Sequence, residues 1–526
     1  MAPLPISISL APDAASHSPS PQQKDVYDWT SDGDGSAVIE AVAGAGKTTT
    51  LIGLLARTRG TVAFTAYNKK IADEIAAKVA PLGLGDRIRV GTVHSFGFAA
   101  VRTAFPRTKV DGKKLVTIAK RLTQNRKLPY DLHEFAVKTA SMAKQTGIGA
   151  MADMDDRTAW ANMIAHHGID ELLPETHQLE QGIQAAAMLL TASNDMADQM
   201  IDFDDMVYLP AQRRMSLHPY DWVLLDEAQD TNATRRILAR MLLAPGGRLV
   251  AVGDPAQAIY GFTGADSNSL DLIREDFSAI TLPLTVSYRC PKAVVAEARR
   301  WVKHIEPAET AAEGSVESIK ETDFWGKDDV EGLYTTLTAD DAILCRNTKP
   351  LIKIAYSLIR RGKGCIIEGR DIGFGLIKLA TKWKSITTVE ALRHKLGQWS
   401  SAEIARALDR GQDARADKIE DQANTLFEIM STLPNTATIF DVQAAINSLF
   451  GDTPAGERPK VVTLSTIHKS KGREWRRVLW WGANAYQPSR YARQGWQMGQ
   501  ERNIMYVAAT RAMETLVYVE VIEETD

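Results

Sequence analysis

The chain has 526 residues, of which 44% are hydrophobic and 24% charged, and its formal net charge is −3. This length exceeds what one hydrophobic core supports, so it predicts roughly two to four structural units of ordinary globular composition. The near-neutral charge neither favours nor excludes a polyanionic partner, because phosphate binding needs a local basic stripe rather than a global excess.

The cysteines and the first residues of the chain indicate which cellular compartment is expected. Cys290, Cys345 and Cys365 are an odd number, lie far apart and form no CxxC pair, which favours a reducing cytosol over disulfides or a metal site. No apolar run is long enough to cross a bilayer. Residues 1–21 are rich in Pro, Ser and Ala and lack the basic start of a targeting peptide, so they predict a disordered lead-in.

From about Gln22 the pattern changes to short apolar strands that end in glycine or polar turns and precede helices. SAVIEAVAGAGKTTTLIGLLAR is typical of strand, glycine-rich loop and helix, and TVAFTAYNKKIADEIAAKV of strand, turn and amphipathic helix. Farther on, DWVLLDEAQD and RLVAVGDPAQ are apolar runs with carboxylates at their carboxyl ends. Such runs fit central strands of a parallel sheet covered on both faces, where ligands bind just beyond the carboxyl ends of the strands.

The intervening residues 102–199 have mostly helical periodicity and no strong strand signal. Within them, residues 107–144 contain ten Lys or Arg against three acidic residues, Asp111, Asp131 and Glu134. This basic segment is either a solvated helical face, which is the common outcome for a charge run, or part of a phosphate-binding surface.

A second strand-rich block runs from about Thr281 to Gly375, a helical interlude follows to about Gly456, and strands return with PKVVTLSTIHK, RVLWWGAN and LVYVEVIEE. The predicted fold class is therefore α/β, with two parallel-sheet domains that each carry a mostly helical insertion. The predicted boundaries are 22–101 with 200–278 for the first domain, 102–199 for its insertion, 279–375 with 457–526 for the second domain, and 376–456 for its insertion.

The segment from Ala41 to Thr48, AVAGAGKT, follows a strand and opens a helix, which is the context of a phosphate-binding loop. Glycine lets successive N–H groups turn toward phosphates, and the helix amino end adds positive charge. Lys47 is predicted to reach the β- and γ-phosphates and the Thr48 hydroxyl to coordinate Mg²⁺. Ala41 replaces the first glycine of the strict pattern, and a glycine-rich turn without a ligand is the alternative. The other residues predicted to line the nucleotide are Ala43, Gly44, Ala45, Gly46 and Thr49.

Asp226 and Glu227 end the strand VLLDE. Taken alone, such a pair is usually a solvated turn. Beside a phosphate-binding loop, Asp226 is predicted to hold the Mg²⁺ shell while Glu227 orients and deprotonates the attacking water. The two signals together predict hydrolysis of ATP or GTP, without naming what that energy drives.

Several segments resemble, in order, those of a superfamily 1 helicase of the UvrD/Rep group. They are Gln23, AVAGAGKT, TAYNKK, VGTVHSF, IDFDD, LLDEAQD, VGDPAQAIYGFTGA, SYRCP, STIHKSKGREW and YVAATRA. TAYNKK, GDPAQAIYGF and KGREW are especially similar to the F-box DNA helicase branch and its phage or bacterial relatives. The resemblance implies two RecA-like domains that use ATP and Mg²⁺ to move 3′→5′ along single-stranded DNA and unwind duplex at junctions.

The resemblance also implies roles around the adenosine. Gln23 would bind the adenine edge, although the adjacent Gln22 fits the spacing almost as well. Tyr288 would stack on adenine, and Glu474 would hydrogen-bond the ribose, with Gly472 in the same segment at the nucleotide.

At the γ-phosphate, the resemblance places three further residues. Gln257 would sit beside the attacking water, while Arg289 and Arg511 would approach from the second domain, where an arginine stabilises the transferred phosphoryl group. Taken alone, each arginine more commonly forms a surface ion pair. Arg511 follows the apolar run IMYVAA, whose pattern is strand-like, and begins a polar turn.

A nucleic-acid track is implied across the carboxyl ends of both sheets, where aromatic faces stack on bases and polar groups hold phosphates. The alternatives are core packing for the aromatic residues after a strand, and histidines that are satisfied without a ligand. The residues implied in this track are Tyr67, Asn68, Thr92, His94, Tyr260, Phe262, Thr466 and His468.

Three departures from the family pattern bear on this track. Phe262 and Thr263 stand where many relatives have Trp-Arg, so stacking is kept but a cation is lost. The aromatic of the TFTNK-like segment is displaced to Tyr67, and the second insertion is short. A nucleotide-gated DNA-binding factor that does not unwind, and the opposite 5′→3′ polarity, therefore stay open.

We expect a monomer in the cytoplasm of a bacterium or phage-infected host, or in a eukaryotic nucleus, with no membrane partner. Replication or repair partners are not implied by any segment.

Overall fold

The structure is a computed structural model that describes residues 19–66, 68–259, 268–327, 330–409, 413–451, 461–489, 492 and 495–521. It divides into two compact units, the first comprising Met1–Val42 and Gly46–Thr285 and the second Ala43–Ala45 and Val286–Asp526. Within the described ranges, no helix combines the length and the apolar character that spanning a membrane requires.

The first unit is built on a six-stranded sheet in which every neighbouring pair is parallel. Its order is β3-β2-β6-β7-β1-β8, and a separate pair, β4 with β5, is also parallel. Strand β2 is buried along its whole length and is mostly apolar, as is typical of a parallel strand covered on both faces. The strands are β1 Ala37–Ala41, β2 Val62–Ala66, β3 Ile88–Thr92, β4 Lys109–Val110, β5 Met200–Ile201, β6 Tyr220–Leu225, β7 Leu243–Gly253 and β8 Ile280–Leu284.

Helices follow most of these strands and form the insertion between β3 and β6. Several begin at a polar residue whose side chain caps the first turn, as Ser20 does for α1 and Asp156 for α7. The helices of the first unit are α1 Pro21–Asp32, α2 Lys47–Leu55, α3 Lys69–Val79, α4 Val93–Ala104, α5 Lys114–Gln124, α6 His133–Thr146, α7 Arg157–His166, α8 Leu179–Asp195, α9 Asp205–Gln212, α10 Ala233–Met241 and α11 Ser269–Phe277.

A buried ion cluster ties the first insertion to the segment IDFDD. Lys114 Nζ lies 2.7 Å from Asp205, and Lys144 Nζ lies 2.6 Å from Asp202 and 2.7 Å from Asp205. Two of the ten cations of the basic segment are therefore core residues and not part of a solvated face. Removing one partner would leave an uncompensated buried charge, which typically costs about 3–5 kcal/mol of folding stability.

The second unit contains a seven-stranded sheet, also parallel at every neighbouring pair. The order is β11-β19-β18-β14-β17-β15-β16, so β14 lies between β18 and β17. The strands of this unit, including four short ones outside the sheet, are β9 Val286–Ser287, β10 Glu306–Pro307, β11 Ser315–Lys320, β12 Gly326–Lys327, β13 Val330–Glu331, β14 Asp341–Cys345, β15 Cys365–Glu368, β16 Phe450–Gly451, β17 Val462–Thr466, β18 Trp475–Trp481 and β19 Ala512–Glu520.

The helices after β15 share one hydrophobic core with this sheet: Leu392, Leu426 and Ile446 pack in the same cluster as Ile343 and Leu464. The first insertion differs, because it has a core of its own that includes Trp160 and Phe135. The helices of the second unit are α12 Lys292–Ala298, α13 Glu321–Trp325, α14 Thr348–Arg360, α15 Arg370–Ala380, α16 Val389–Asp409, α17 Asp413–Ser431, α18 Ile439–Leu449, α19 Ala483–Tyr486 and α20 Gly495–Ala509.

The predicted fold class, α/β with two parallel sheets in two domains, is confirmed. Three details were wrong. Strand β8 pairs with β1 in the first unit, although a boundary before residue 279 assigned it to the second domain. The run IMYVAA is the end of helix α20 and not a strand, because a short apolar run does not distinguish a buried helix from a strand. Helix α1 begins at Pro21, inside the predicted lead-in, of which residues 1–18 lie outside the described ranges. The boundaries of the two insertions stay predictions.

Candidate functional site

The phosphate-binding loop connects β1 to α2. Gly44 and Gly46 have φ of 75° and 77°, in the left-handed region that favours glycine, and Gly46 is the N-cap of α2. Three loop residues, Ala43–Ala45, belong to the second unit, where the Ala43 N–H donates a hydrogen bond of 2.9 Å to the Tyr506 hydroxyl. The loop thus has the glycine conformations and the helix start that phosphate binding requires.

An oxygen-rich centre lies where α2 begins and β6 ends. The Thr48 hydroxyl donates to Asp226 Oδ2 at 3.0 Å. Burial, and after it the charge of Glu227, raises the pKa of Asp226 to about 6. A cation at this point would offset the cost of a buried carboxylate, and hydroxyl and carboxylate oxygens are ligands that Mg²⁺ prefers. The residues present therefore fit the predicted metal.

Glu227 adopts an unusual backbone conformation, with φ of 51° for a residue that is not glycine. Its N–H donates to Asp226 Oδ1 at 2.9 Å, and its carboxylate accepts from Gln229 Nε2 at 2.5 Å. Left-handed backbone costs energy in an ordinary residue and persists only where its surroundings hold it, which is common at functional sites. The first hydrogen bond holds the backbone of Glu227, and the second orients the side chain that is predicted to act as the base.

Gln229 continues this chain of hydrogen bonds to the next strand end. Its Oε1 accepts from the Asp254 N–H at 3.1 Å, and Gln257 Nε2 donates to Asp254 Oδ2 at 2.6 Å. Gln257 and Asp254 are buried, and burial raises the pKa of the Asp254 carboxyl. Gln257 was predicted at this site, whereas Gln229 and Asp254 were not. The signal was present in DEAQD and GDPAQ, where both residues follow or end an apolar strand.

Both glutamines proposed for adenine already have protein partners. Gln23 accepts from the Ser20 N–H at 3.0 Å and donates to the Thr50 hydroxyl at 3.0 Å. Gln22 accepts from the Thr285 N–H at 2.8 Å and donates to its hydroxyl at 2.9 Å. Gln23 is buried and Gln22 is partly exposed, so the assignment of Gln23 to adenine stays a prediction.

In the second unit, two predicted nucleotide residues pair with each other. Arg289 Nε donates to Glu474 Oε2 at 2.5 Å, and both side chains are partly exposed. Tyr288 precedes Arg289 and is 48% exposed, as a residue that stacks on a base must be. Gly472, two residues before Glu474, has φ of 81° and allows the turn that presents the glutamate.

Arg511 is fully buried, and the sequence alternative of a surface ion pair is excluded. Its guanidinium donates to the backbone carbonyls of Val507 at 3.0 Å and Arg473 at 3.1 Å, and to the Thr510 hydroxyl at 3.2 Å. Burial, and after it the charge of Arg289, lowers the pKa of Arg511 to about 10. The side chain therefore stays a cation at neutral pH.

The polar residues predicted for the track in the first unit have structural roles. Asn68 caps α3 by accepting from the Ile71 N–H at 2.9 Å, and Thr92 caps α4 by accepting from the Ser95 N–H at 3.1 Å. His94 lines a small cavity together with Asp226 and Glu227. Burial, and after it the charge of Arg235, lowers the pKa of His94 to about 4, so the imidazole is neutral at pH 7.

The track residues of the second unit follow β17. Thr466 is the buried last residue of that strand, and its hydroxyl accepts from the Lys469 N–H at 3.4 Å. Burial, and after it the charge of Arg346, lowers the pKa of His468 to about 3. Tyr67, Tyr260 and Phe262 lie outside the described residues.

A parallel sheet with a glycine-rich loop after one strand and carboxylates after another defines a P-loop nucleotide-binding protein. Two family models match the chain: the UvrD/REP helicase N-terminal domain over residues 21–278 and the UvrD-like helicase C-terminal domain over residues 375–522. The chain belongs to the UvrD/Rep helicase family, and its two sheet-bearing units are the two RecA-like domains of that family.

Curated relatives match parts of the chain. The ATP-dependent DNA helicase PcrA of Staphylococcus epidermidis is 25% identical over 295 residues, 52% of this chain and 38% of that protein. A probable DNA helicase II homolog of Rickettsia felis is 24% identical over 298 residues, 55% of this chain and 45% of that protein. The ATP-dependent DNA helicase Rep of Escherichia coli K12 is 33% identical over 102 residues, 18% of this chain and 15% of that protein. Each match spans less than half of the relative.

Proposed function

We propose that this protein is an ATP-dependent DNA helicase or translocase that moves 3′→5′ on single-stranded DNA and unwinds duplex at junctions. The observation that carries the proposal is the hydrogen-bonded centre of Thr48, Asp226 and Glu227 at the start of α2 and the end of β6. The proposal that the protein acts on DNA is supported by the relatives, which are named ATP-dependent DNA helicases.

In the proposed mechanism, Lys47 and the loop N–H groups bind the phosphates of ATP. Glu227, oriented by Gln229 and by its own backbone, accepts a proton from the attacking water. Gln257 lies beside that water. Its hydrogen bond to Asp254 would change when the γ-phosphate is released, and so Gln257 would sense hydrolysis. Thr48 and Asp226 would hold Mg²⁺, which neutralises charge on the phosphates when bound.

Arg289 and Arg511 would stabilise the charge that spreads over the transferred phosphoryl group. Arg511 is held by carbonyl oxygens, so its charge is oriented before ATP arrives and needs little rearrangement. Arg289 is paired with Glu474, and binding of ATP would exchange that ion pair for a phosphate on one side and a ribose on the other. Because these residues come from two domains, loss of the γ-phosphate would remove contacts that both domains make with ATP. Such a cycle of contacts made and lost would drive movement along DNA.

The test is ATP turnover with and without single-stranded DNA, followed by strand displacement on DNA and RNA duplexes with 3′ or 5′ tails. We expect DNA to stimulate turnover, and unwinding only of the 3′-tailed DNA. Lys47→Ala should remove most turnover and provides the background. A turnover that ignores DNA would contradict the motor, and unwinding of 5′-tailed duplex alone would reverse the polarity.

A second candidate is a nucleotide-gated factor that binds single-stranded DNA without unwinding it. It is favoured by Asn68 and Thr92, whose side-chain oxygens accept helix-capping hydrogen bonds instead of standing free for a strand. The same tailed duplexes separate the two candidates, because this factor would bind DNA in an ATP-dependent manner and displace no strand.

A further inference from the structure

The small cavity that His94 lines lies at the carboxyl ends of three neighbouring strands of the first sheet. Strand β2 contributes Thr65 and Ala66 to its wall, and the segment after β6 contributes Asp226 and Glu227. His94 belongs to the first turn of α4, directly after β3. Because β2 lies between β3 and β6, the ends of those two strands are roughly 10 Å apart, a gap that two side chains can close over β2. The cavity therefore brings a histidine close to the predicted base.

The backbone that carries His94 is fixed, whereas its ring has no protein partner. Thr92 caps α4 by accepting from the Ser95 N–H at 3.1 Å, and the Ser95 hydroxyl donates to the Thr92 carbonyl at 2.7 Å. Throughout the part of the chain that the structure describes, the partly buried imidazole of His94 forms no hydrogen bond or ion pair. Polar groups away from bulk water are usually hydrogen-bonded, to protein or to ordered water. The ring is therefore suited to a ligand in the cavity.

The size and the lining of the cavity fit one water molecule. Its volume is about 20 Å³. A single water needs roughly 10–15 Å³ and two to four polar partners. Besides His94 and Glu227, Arg235 lines the cavity, and its guanidinium donates to the Asp230 carbonyl at 3.1 Å. A carboxylate has about four acceptor positions, so the bond that Glu227 accepts from Gln229 leaves it able to accept from other donors.

The electrostatics of the cavity determine what His94 can do there. Burial, and after it the charge of Arg235, keeps the pKa of His94 at about 4, so the imidazole is neutral at pH 7. A neutral imidazole has one nitrogen that donates and one that accepts a hydrogen bond. Beside a guanidinium it does not readily gain a proton. His94 can therefore orient a neighbouring group but is not suited to remove a proton from it.

We propose that one water molecule joins His94 to Glu227, and that His94 is a positioning residue for the base of ATP hydrolysis. This inference rests on the proposed role of Glu227. Gln229 holds the carboxylate from the β7 side, where it also accepts from the Asp254 N–H. His94 holds it from the β3 side, so the base is oriented from both neighbouring parts of the sheet edge. This role differs from the strand contact that the family resemblance implies for His94.

The test compares His94→Ala with His166→Ala, which removes an exposed histidine of α7 that does not line the cavity. His94→Ala should lower kcat for ATP by ~10-fold, the equivalent of one ordinary hydrogen bond, and leave KM unchanged. The loss should be the same with and without saturating single-stranded DNA, because the base acts in both cases. His94→Gln should retain most of the parental kcat, since an amide also donates and accepts. His166→Ala should keep the parental kcat.

Glu227→Gln provides the background that isolates this contact. Once the base is absent its orientation has no effect, so His94→Ala/Glu227→Gln should hydrolyse ATP at the same rate as Glu227→Gln alone. Single-turnover measurements with radiolabelled ATP resolve such slow rates. A residue that only stabilised the fold would add its own loss in the double variant, and thermal unfolding of every variant measures that contribution separately.

Two results would overturn the inference. Parental kcat in His94→Ala, together with weaker binding of single-stranded oligothymidylate, would assign His94 to the DNA track. Equal losses from His94→Ala in the parental and Glu227→Gln backgrounds would make it a structural residue. Failure of the proposed function is distinguishable from both, because Glu227→Gln alone would then hydrolyse ATP at the parental rate.

Discussion

Apart from Lys47 in the first domain and Glu474 in the second, the two RecA-like domains contribute different groups to the proposed reaction. The first unit supplies oxygen atoms at strand ends: Asp226 and Glu227 follow β6, and Asp254 follows β7. The second unit supplies two arginines, Arg289 and Arg511. Neither directly follows a strand of the seven-stranded sheet, because Arg511 comes after helix α20 and Arg289 after the two-residue strand β9.

The two sets of site residues also differ in how firmly the surrounding structure holds them. In the first unit, Asp226, Glu227 and Asp254 are connected by hydrogen bonds of 2.5–3.1 Å. The Glu227 N–H donates to the Asp226 carboxylate, and Gln229 links the Glu227 carboxylate to the Asp254 N–H. In the second unit, Arg511 is locked by backbone carbonyls, whereas Arg289 has a side-chain ion pair that is partly exposed. Removing a locked group should therefore affect catalysis most, and removing the exposed pair least.

The largest effect is expected from Arg511→Ala. Loss of the cation should lower kcat by ~10³-fold, because arginine stabilises charge on the transferred phosphoryl group. Arg511→Lys should recover part of this, since it keeps the charge but not the planar fork. Turnover at saturating DNA measures both, and thermal unfolding controls for the buried carbonyls left without a donor. Parental kcat in a folded Arg511→Ala would remove the arginine from the mechanism.

A smaller loss, on the order of 10²-fold or more in turnover, is expected from Glu227→Gln, because the amide does not accept the proton of the attacking water. ATP binding should persist, measured by titration with a fluorescent ATP analogue. Asp271→Asn, an exposed carboxylate on α11, is the matched control and should keep parental turnover. If Glu227→Gln hydrolysed ATP at the parental rate, another residue would be the base.

The contrast between the units also explains how far the sequence predicts the site. The loop, Asp226, Glu227 and Gln257 follow apolar strands, so their pattern identifies both the residues and the sheet edge. Gln229 belongs to the same DEAQD segment, but its role depends on a contact with Asp254 at the end of another strand, which the pattern of one segment does not predict.

In the second unit, the helix that precedes Arg511 was predicted as a strand, since six apolar residues fit either structure. Burial of Arg511 and of Lys114 depends on tertiary packing, which composition does not encode locally. Capping by Asn68 and Thr92 agrees with their sequence positions, because each precedes a helical segment, whereas the family resemblance implies a contact with DNA for both.

Disrupting the partly exposed ion pair of Arg289 and Glu474 should have a modest effect on ATP binding. Glu474→Gln weakens the predicted ribose contact and should raise KM for ATP by about 5–10-fold, the equivalent of one ordinary hydrogen bond of about 1–1.4 kcal/mol. Stability should change little, because exposed ion pairs contribute about 0–1 kcal/mol. The parent should lose the same factor with 2′,3′-dideoxy-ATP, and the variant should not discriminate between the two nucleotides. Retained discrimination would place the ribose elsewhere.

The smallest effect concerns pH. His94 and His468 have folded pKa values of about 4 and about 3, below the ordinary 6.5, so the unfolded chain binds their protons first as pH falls. Their contribution to stability is complete above pH 6.5 and is lost as pH falls toward 4 and 3, by up to ~1.4 kcal/mol per pH unit for each histidine. Chemical denaturation from pH 7 to 4 should show a shallower decline in His94→Asn than in the parent. An identical decline would mean that His94 is not buried in its neutral form.

In the proposed mechanism, Lys47 of the first domain and Arg511 of the second act on one terminal phosphate. The most direct measurement is an experimental structure with ADP, Mg²⁺ and aluminium fluoride as a mimic of the transferred phosphoryl group. We predict hydrogen-bond contact between the fluoride ligands and both Lys47 Nζ and the Arg511 guanidinium. An Arg511 that donates only to the Val507 and Arg473 carbonyls, with no contact to the mimic, would contradict the account.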